Sequence, residues 1–356
     1  MGGGGGERLR CALRGLSPWR RSQVARALFR TPVLAAMRRR QRRRGGTTVL
    51  MYHGFGDPRF MDRNLFVGAA RFKDQVGYLA GHYQLVPLEE VVARLAAGRA
   101  LPPGGVAVTI DDGYRNVYEL AAPVLRAAGC PATVFVSTGP LETGRSLWPA
   151  TVHYWFSIAP AGEVRVSLPS AGAGGAAEGP REHLFQLDTP SQRTKARRVA
   201  LRAIQGLAPP FRVEALARLA GALGVSPAAD PFSLMPMLSW DETRALVRDG
   251  LSVGGHTVSH PSLTTLGPAE ARAEVVECRK RLEDELGRPV TTFAYPFGME
   301  RDWNGLVREV VREAGYVGAC TALPGVVRDG GDAYALARAL VGDWTLPHFA
   351  LEMALV

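Results

Sequence analysis

A short apolar run ends in two adjacent carboxylates in the segment Val106-Ala107-Val108-Thr109-Ile110-Asp111-Asp112-Gly113-Tyr114. The run predicts a buried strand, and Gly113 allows a sharp turn directly after the carboxylates. A second strand-like run, residues 251–255, is followed by His256-Thr257-Val258-Ser259-His260. Catalytic and binding groups collect at the carboxyl ends of parallel strands in α/β folds, so the two segments together predict one functional site.

The residue types in these two segments suit a divalent metal ion. Two imidazoles and one carboxylate form a three-ligand site with open coordination positions, and the second carboxylate is left to act as a base. That set is typical of a metal-assisted hydrolase. Asp-Asp-Gly also occurs in ordinary turns, and two histidines four residues apart are often incidental. Their shared position after predicted strands favours the functional interpretation.

Strand and helix patterns alternate from residue 47 to residue 136 and again after Ser239, a candidate helix cap. The alternation predicts a parallel sheet, open or closed into a barrel, and the number of units favours a closed or nearly closed α/β barrel of about seven or eight strands. Residues 140–235 interrupt the pattern and are predicted to be an insertion over the ligand-binding face. The histidines and tryptophans of the insertion are expected to serve packing or hydrogen bonding.

The positive charge is concentrated at the start of the chain. The 356 residues have a formal charge of +10, but residues 1–44 contain 13 Arg and one Glu, which leaves 30 basic and 32 acidic residues elsewhere. Such dense charge is typical of a solvated segment, so residues 1–46 are predicted to be a flexible, disordered basic tail and residues 47–356 the barrel. Apolar pieces on either side of Pro32 fit an interfacial helix, which favours contact with an anionic membrane surface over nucleic acid.

The four cysteines, Cys11, Cys130, Cys278 and Cys320, have no metal-type spacing. The apolar surroundings of Cys130 and Cys320 predict buried thiols rather than disulfides, which fits a reducing compartment. The chain has no apolar stretch long enough for a transmembrane helix, and arginines interrupt every candidate signal peptide. The expected location is the cytoplasm, with peripheral contact at the inner face of the membrane.

The motifs resemble those of a known family. The Asp-Asp and His-x-x-x-His segments, with Thr292-Phe293-Ala294-Tyr295-Pro296-Phe297-Gly298 as a third motif, are similar in sequence and order to the signatures of the polysaccharide deacetylases. This family is the NodB-homology domain of carbohydrate esterase family 4. The resemblance covers residues 47–341, and Met51-Tyr52-His53 is similar to the start of exopolysaccharide-type members. It implies the family's distorted (β/α) barrel of the glycoside hydrolase/deacetylase type.

The resemblance also implies an activity and a role for each motif residue. The activity is metal-dependent removal of N-acetyl groups from N-acetylhexosamine-containing glycans, by hydrolysis of a linear amide C–N bond, as in exopolysaccharide biosynthesis. Asp112, His256 and His260 would bind the metal, with zinc favoured. Asp111 would be the base for the metal-bound water that attacks the amide, and the backbone N–H of Phe297 would bind the oxyanion.

The chain departs from the family pattern at two positions. Where many members have an arginine that orients the base, this chain has Ala294, and Arg338 near the last predicted strand is a candidate replacement. Where many members have a late histidine after a leucine, this chain has Leu323-Pro324-Gly325. The resemblance of Met51-Tyr52-His53 to exopolysaccharide-type members implies that His53 lies in the site instead, as the expected donor of a proton to the leaving amine. A hydrogen-bonded histidine at a strand end explains His53 equally well.

Two other functions fit the same residues. A NodB-fold protein that has lost catalysis would act as a glycan-binding or membrane-surface protein. An amidohydrolase would use the same metal chemistry on a non-sugar amide. The intact pair of carboxylates and pair of histidines favour the deacetylase.

Overall fold

The structure is a computed structural model that describes residue 15, residues 17–57 and residues 65–356. Part of the predicted tail, with Cys11, lies outside the described residues. The strands are β1 (Thr47–Tyr52), β2 (Gly54–Phe55), β3 (Phe66–Val67), β4 (Gln84–Leu85), β5 (Gly105–Ile110), β6 (Ala132–Val136), β7 (Glu163–Ala171), β8 (Ala177–Gln186), β9 (Ser252–Gly255), β10 (Thr292–Ala294), β11 (Gly318–Cys320) and β12 (Arg338–Leu340). The helices are α1 (Pro18–Leu28), α2 (Pro32–Arg43), α3 (Ala69–His82), α4 (Leu88–Ala96), α5 (Ala122–Ala127), α6 (Thr138–Thr143), α7 (Trp148–Ile158), α8 (Pro190–Gln205), α9 (Pro209–Ala222), α10 (Trp240–Arg248), α11 (Pro268–Leu286), α12 (Gly305–Glu313) and α13 (Leu346–Leu355).

The main sheet has the strand order β11-β10-β9-β6-β5-β1-β12, and β4 also pairs with β5. Its strands run parallel; β1, for example, lies beside β5 with Thr47 opposite Gly105 and Tyr52 opposite Ile110. The chain just before β12 bridges back to β11, between Leu336 and Cys320. The sheet is therefore a nearly closed barrel of seven strands with helices around it, and the predicted fold is confirmed.

The apolar runs in the sequence follow from this architecture. Every residue of β1, β5 and β6 is buried, because the barrel interior covers one face of each strand and the helices cover the other. At the start of α10, the Ser239 hydroxyl accepts the N–H of Glu242 while the Glu242 carboxylate accepts the N–H of Ser239. This capping box confirms the predicted cap at Ser239.

Residues 140–235 fold largely into α7, α8, α9 and the antiparallel hairpin β7–β8. Their apolar side chains form a separate core that includes Trp155, Phe185 and Leu219. The turn of the hairpin packs against the main barrel, where a Cβ added to Gly175 would meet the Thr265 carbonyl at 2.5 Å. The insertion is thus an additional layer, attached close to the loop that carries the two motif histidines.

The N-terminal arginine-rich segment contradicts the predicted disordered tail over residues 18–43. These residues form α1 and α2, and both helices contact α13 at the other end of the chain. Ala25 and Leu34 are buried in the main core, and Arg21 pairs with Glu352 of α13 at 3.1 Å. The prediction was wrong because a few small or apolar residues at helical spacing suffice to anchor a helix whose other residues are charged.

The described cysteines, Cys130, Cys278 and Cys320, are free and buried. The predicted buried thiols at Cys130 and Cys320 are confirmed, while the reducing compartment and cytoplasmic location stay predictions. In the part of the chain that the structure describes, no helix has the length and apolar character needed to span a bilayer.

Candidate active site

The two adjacent carboxylates follow β5 at the carboxyl edge of the barrel. The Asp111 N–H donates to the Tyr52 carbonyl of the neighbouring strand β1 at 2.9 Å, which continues the ladder by one residue. Asp112 then adopts a positive φ of 77°, a conformation that favours glycine. This turn separates the two side chains, so that Asp111 and Asp112 make different contacts.

The two histidines follow β9 at the same edge. The His256 Nδ1 donates to the carbonyl of Ala294, at the end of β10, at 2.7 Å. This bond fixes the tautomer and leaves Nε2 facing Asp112, whose Oδ1 lies 3.6 Å away. The His260 Nε2 lies 3.4 Å from the same Asp112 oxygen. The structure therefore brings together the three predicted metal ligands.

The arrangement of Asp112, His256 and His260 fits a divalent metal ion. One ligand atom from each residue lies within 4.8 Å of the others, and all three residues are buried. Burial lowers the pKa of His260, although Asp112 opposes this, and so favours the neutral imidazole that a metal requires. Burial would raise the pKa of Asp112, but hydrogen bonding from the two histidines holds it well below its ordinary value.

The histidine loop is held in a strained but well-supported conformation. The non-glycine residues with positive φ in the described ranges are Asp112, Thr257, His260 and Phe297, with φ of 77°, 67°, 54° and 60°. Three of them are predicted site residues, and such strain clusters at functional sites. Glu274 of α11 supports the loop, since its carboxylate accepts the N–H groups of Val258 and Ser259, each at 2.8 Å.

Arg338 orients the second carboxylate, Asp111. Its Nη1 and Nη2 donate to Oδ1 and Oδ2 of Asp111, both at 2.7 Å. Burial would raise the pKa of Asp111, but the charge and hydrogen bonds of Arg338 outweigh it and hold the pKa below its ordinary value. Asp111 is therefore ionised, and Arg338, the candidate orienting residue, contacts both of its carboxylate oxygens.

His53 and Phe297 lie beside these carboxylates. Both line the cavity that also contains Asp111 and Asp112. The His53 Nδ1 is buried and has no hydrogen-bond partner among the described residues. The Phe297 ring packs against His260 with centroids 4.8 Å apart, and within the described ranges its N–H donates no hydrogen bond.

The catalytic cavity, as we call this space, has a volume of about 330 Å³. An adjoining cavity of about 320 Å³ shares Gln205 and Arg301 with it. The adjoining cavity is lined by the hairpin turn of the insertion and by polar residues of the barrel, among them Ser262 and Thr264. The space around the site thus extends from the paired carboxylates toward the insertion.

Comparison with known proteins identifies the family. The family model described as polysaccharide deacetylase matches residues 98–157 and 215–319, which include the carboxylate, histidine and third motifs. The chain belongs to the polysaccharide deacetylase family. The putative polysaccharide deacetylase YxkH of Bacillus subtilis (strain 168) is 25% identical over 104 residues, or 29% of this chain. That match spans 36% of the YxkH sequence, about a third of its length.

Solved structures show that the fold of this deacetylase-family chain is shared more widely. The Streptococcus pyogenes deacetylase PplD, in complex with acetate, superposes with a TM-score of 0.56 at 18% identity, covering 86% of this chain and 97% of PplD. IcaB from Ammonifex degensii gives a TM-score of 0.55 at 22% identity, covering 88% of this chain and 98% of IcaB. At these identities the likeness establishes the barrel.

Several supporting groups of this deacetylase-family site have no motif of their own. The Ala294 carbonyl binds His256 through the backbone, and Glu274 acts from a helix whose sequence looks like any amphipathic helix. Tyr114 is the last residue of the first motif, and the motif alone assigns it no role. Burial, with Asp112 nearby, raises the pKa of Tyr114 well above its usual range. A neutral hydroxyl is therefore available beside the metal ligands.

Proposed function

We propose that the protein is a metal-dependent deacetylase that hydrolyses the N-acetyl group of N-acetylhexosamine units in a glycan. One observation carries the proposal: the cluster of Asp112, His256 and His260 opens into the same cavity as the ionised carboxylate of Asp111 and the unpartnered Nδ1 of His53. Amide hydrolysis needs an electrophile, a base and an acid, and each has a candidate here.

The two adjacent carboxylates have different proposed roles. Asp112, with His256 and His260, would hold a divalent ion, with zinc favoured by the mixed nitrogen and oxygen donors. Such an ion, when bound, polarises the amide carbonyl and makes water more acidic. Asp111, held ionised by Arg338, takes the proton of the attacking water. Since Arg338 occupies both of its oxygens, Asp111 keeps one orientation throughout.

The remaining steps involve the other side of the cavity. As the amide nitrogen leaves, it needs a proton, and His53 lines the cavity without a role in metal binding. The carbonyl oxygen gains negative charge in the tetrahedral intermediate, and the N–H of Phe297, which donates no hydrogen bond within the described ranges, would donate to it.

The dimensions of the site favour a chain-like sugar substrate. The catalytic cavity combines an apolar wall, including Leu147 and Tyr295, with the charged groups of the site, which suits a sugar ring with an acetamido group. The adjoining cavity offers the hydroxyls of Ser262 and Thr264 and the amide of Gln205. A neighbouring sugar of the same chain would place its hydroxyls there.

The proposal is tested by metal content and acetate release. Purified protein should contain one zinc or exchangeable divalent ion per chain, and it should release acetate from N-acetylglucosamine oligomers faster than from simple amides. His256→Ala should lose both metal and activity, while His183→Ala, in the insertion, should keep both. Faster hydrolysis of small non-sugar amides would favour the amidohydrolase, and metal binding without hydrolysis of either class would favour a binding protein.

A further inference from the structure

The outer surface of α1 and α2 carries unpaired positive charge. Residues 17–44 contain ten arginines and no Asp or Glu. One of these arginines, Arg21, faces inward and pairs with Glu352. Five other arginines are exposed, and their side chains form no ion pair or hydrogen bond with any described residue. They are Arg20, Arg26, Arg30, Arg39 and Arg43. Unpaired arginines at this density attract an anionic partner.

In α1, the buried and exposed residues lie on opposite sides. Ala25 is buried against the core, with Arg21 and Leu28 partly buried on the same side. Trp19, Gln23 and Arg26 are exposed and recur at intervals of four and three residues, which places them on one outward stripe. The Trp19 side chain is 70% exposed, so a large aromatic group stands free beside the cationic residues.

The second helix, α2, repeats the pattern. Leu34 and Gln41 are buried, whereas Val33, Ala36 and Arg43 are exposed at helical spacing. Val33 is 48% exposed. Each helix therefore presents a large exposed apolar residue near its amino end and at least one exposed arginine in its carboxyl half. Exposed apolar side chains beside arginines suit contact with the headgroups of a membrane interface.

We infer that α1 and α2 dock the protein on a bilayer that contains anionic lipids. The docking surface, which we call the arginine face, consists of Trp19, Arg26, Arg30, Val33, Arg39 and Arg43. Its arginines attract phosphate headgroups, and Trp19 has the amphipathic ring that settles at a membrane interface. Nucleic acid would engage the arginines but gains little from an exposed Val33, so the apolar contribution favours lipid over nucleic acid.

The carboxyl end of the arginine face lies away from the catalytic cavity. Residue 44 is separated from the start of β1 by two glycines, so the carboxyl end of α2 lies at the edge of the barrel where the strands begin. There the guanidinium of Arg42 lies 5.6 Å from the ring centroid of Tyr83, just before β4. Asp111 and His256 lie at the opposite edge, so lipid bound at Arg43 would not cover them.

Co-sedimentation of the full chain with lipid vesicles tests the inference. We expect binding to vesicles of phosphatidylcholine mixed with phosphatidylglycerol, little binding to phosphatidylcholine alone, and a decrease as salt screens the charges. Arg26→Glu with Arg30→Glu should weaken binding by about tenfold or more. Arg181→Glu with Lys195→Glu makes the same charge change on the insertion and should bind like the unaltered protein.

A second set of variants separates the apolar contribution and guards against misfolding. Trp19→Ala should lower binding most clearly at high salt, where the arginines are screened. If Arg26→Glu with Arg30→Glu unfolds at a lower temperature than the unaltered protein, Arg39→Glu with Arg43→Glu replaces it. Equal binding to both kinds of vesicle, an equal loss in the insertion control, or tighter binding to a DNA duplex than to anionic vesicles would each overturn the inference.

Discussion

Arg338 and Asp111 form a buried, two-pronged ion pair, with both carboxylate oxygens 2.7 Å from guanidinium nitrogens. The guanidinium is itself fixed, because its Nε donates to the Thr321 carbonyl at 2.6 Å and its Nη1 also contacts the Thr109 hydroxyl at 3.1 Å. Arg338 comes from β12, whereas Ala294, where many family members have the orienting arginine, comes from β10. The proposed base, Asp111, is thus held by a different strand of the barrel.

Removing Arg338 should impair catalysis through the pKa and position of Asp111. In Arg338→Met the carboxylate is buried without its cation, so the pKa of Asp111 rises and the acid limb of the pH–rate profile moves to higher pH. Loss of orientation should lower kcat/KM by about 100-fold. Arg338→Lys, which keeps the charge but not the two-pronged contact, should retain the acid limb and lose less activity. An unchanged acid limb in Arg338→Met would contradict this assignment.

The same ion pair should make stability depend on pH. Because the pKa of Asp111 is lowered in the folded protein, the pair stabilises the fold above the unfolded-state pKa of about 3.9 and less as pH falls. Breaking a buried pair costs about 3–5 kcal/mol, so Arg338→Met should lose this much free energy of unfolding at neutral pH and less under acid conditions. Denaturant unfolding with a chelator present, at pH 7 and in acid, measures both values. A loss independent of pH would mean that packing dominates.

The two adjacent carboxylates should separate in their effect on metal content. Asp111→Asn keeps the three metal ligands and should retain metal while losing about 100-fold or more in turnover. Asp112→Ala removes a ligand and should lose metal and turnover together. Metal analysis of each purified variant, beside its rate of acetate release, makes the comparison. Equal loss of metal from both variants would falsify this division of roles.

His53 should affect turnover without affecting metal binding. His53→Ala removes the proposed proton donor and should lower kcat by about 100-fold or more, with no change in metal content. A matched control is His82→Ala, which changes a histidine at the carboxyl end of α3 that packs on Tyr78 and does not line the catalytic cavity. Turnover equal in the two variants would remove His53 from the mechanism.

The barrel and the catalytic centre were predictable because their determinants are local in sequence. A strand with both faces covered is mostly apolar, as β5 is, and the charged groups follow where it ends, as Asp111 and Asp112 do. The histidines His256 and His260 follow β9 by the same logic. The spatial convergence of these groups needed only the assumption that the strands are parallel.

Other features depend on contacts that no single segment reveals. The hydrogen bond from His256 to Ala294 uses a backbone carbonyl, which every residue has. The order of α1 and α2 depends on α13, more than 300 residues away in sequence, whose Glu352 pairs with Arg21. Charge density is a guide to flexibility only when such a distant partner is absent, and the sequence of the first 46 residues contains no information on that.

The adjoining cavity leads to a prediction about chain length. If a neighbouring sugar lies between the hairpin turn of the insertion and Thr264, filling this space should affect long substrates selectively. Thr264→Trp places a bulky ring at the wall of the adjoining cavity. Arg301, which lines both cavities, lies between this position and the paired carboxylates. We expect kcat/KM for an N-acetylglucosamine tetramer to fall by about tenfold, a loss of about 1.4 kcal/mol, with hydrolysis of a small aryl acetate unchanged.

The length dependence also distinguishes this subsite from a general disturbance of the site. Ser191→Trp adds the same ring to an exposed position on α8, in a separate surface depression, and should leave both substrates unaffected. If kcat/KM falls equally for the tetramer and the aryl acetate in Thr264→Trp, the tryptophan disturbs the loop that carries His260 instead of a sugar subsite. His260 lies only two residues before Ser262 in that loop. A tetramer rate that stays unchanged would mean that the glycan leaves the catalytic cavity in another direction, away from the insertion.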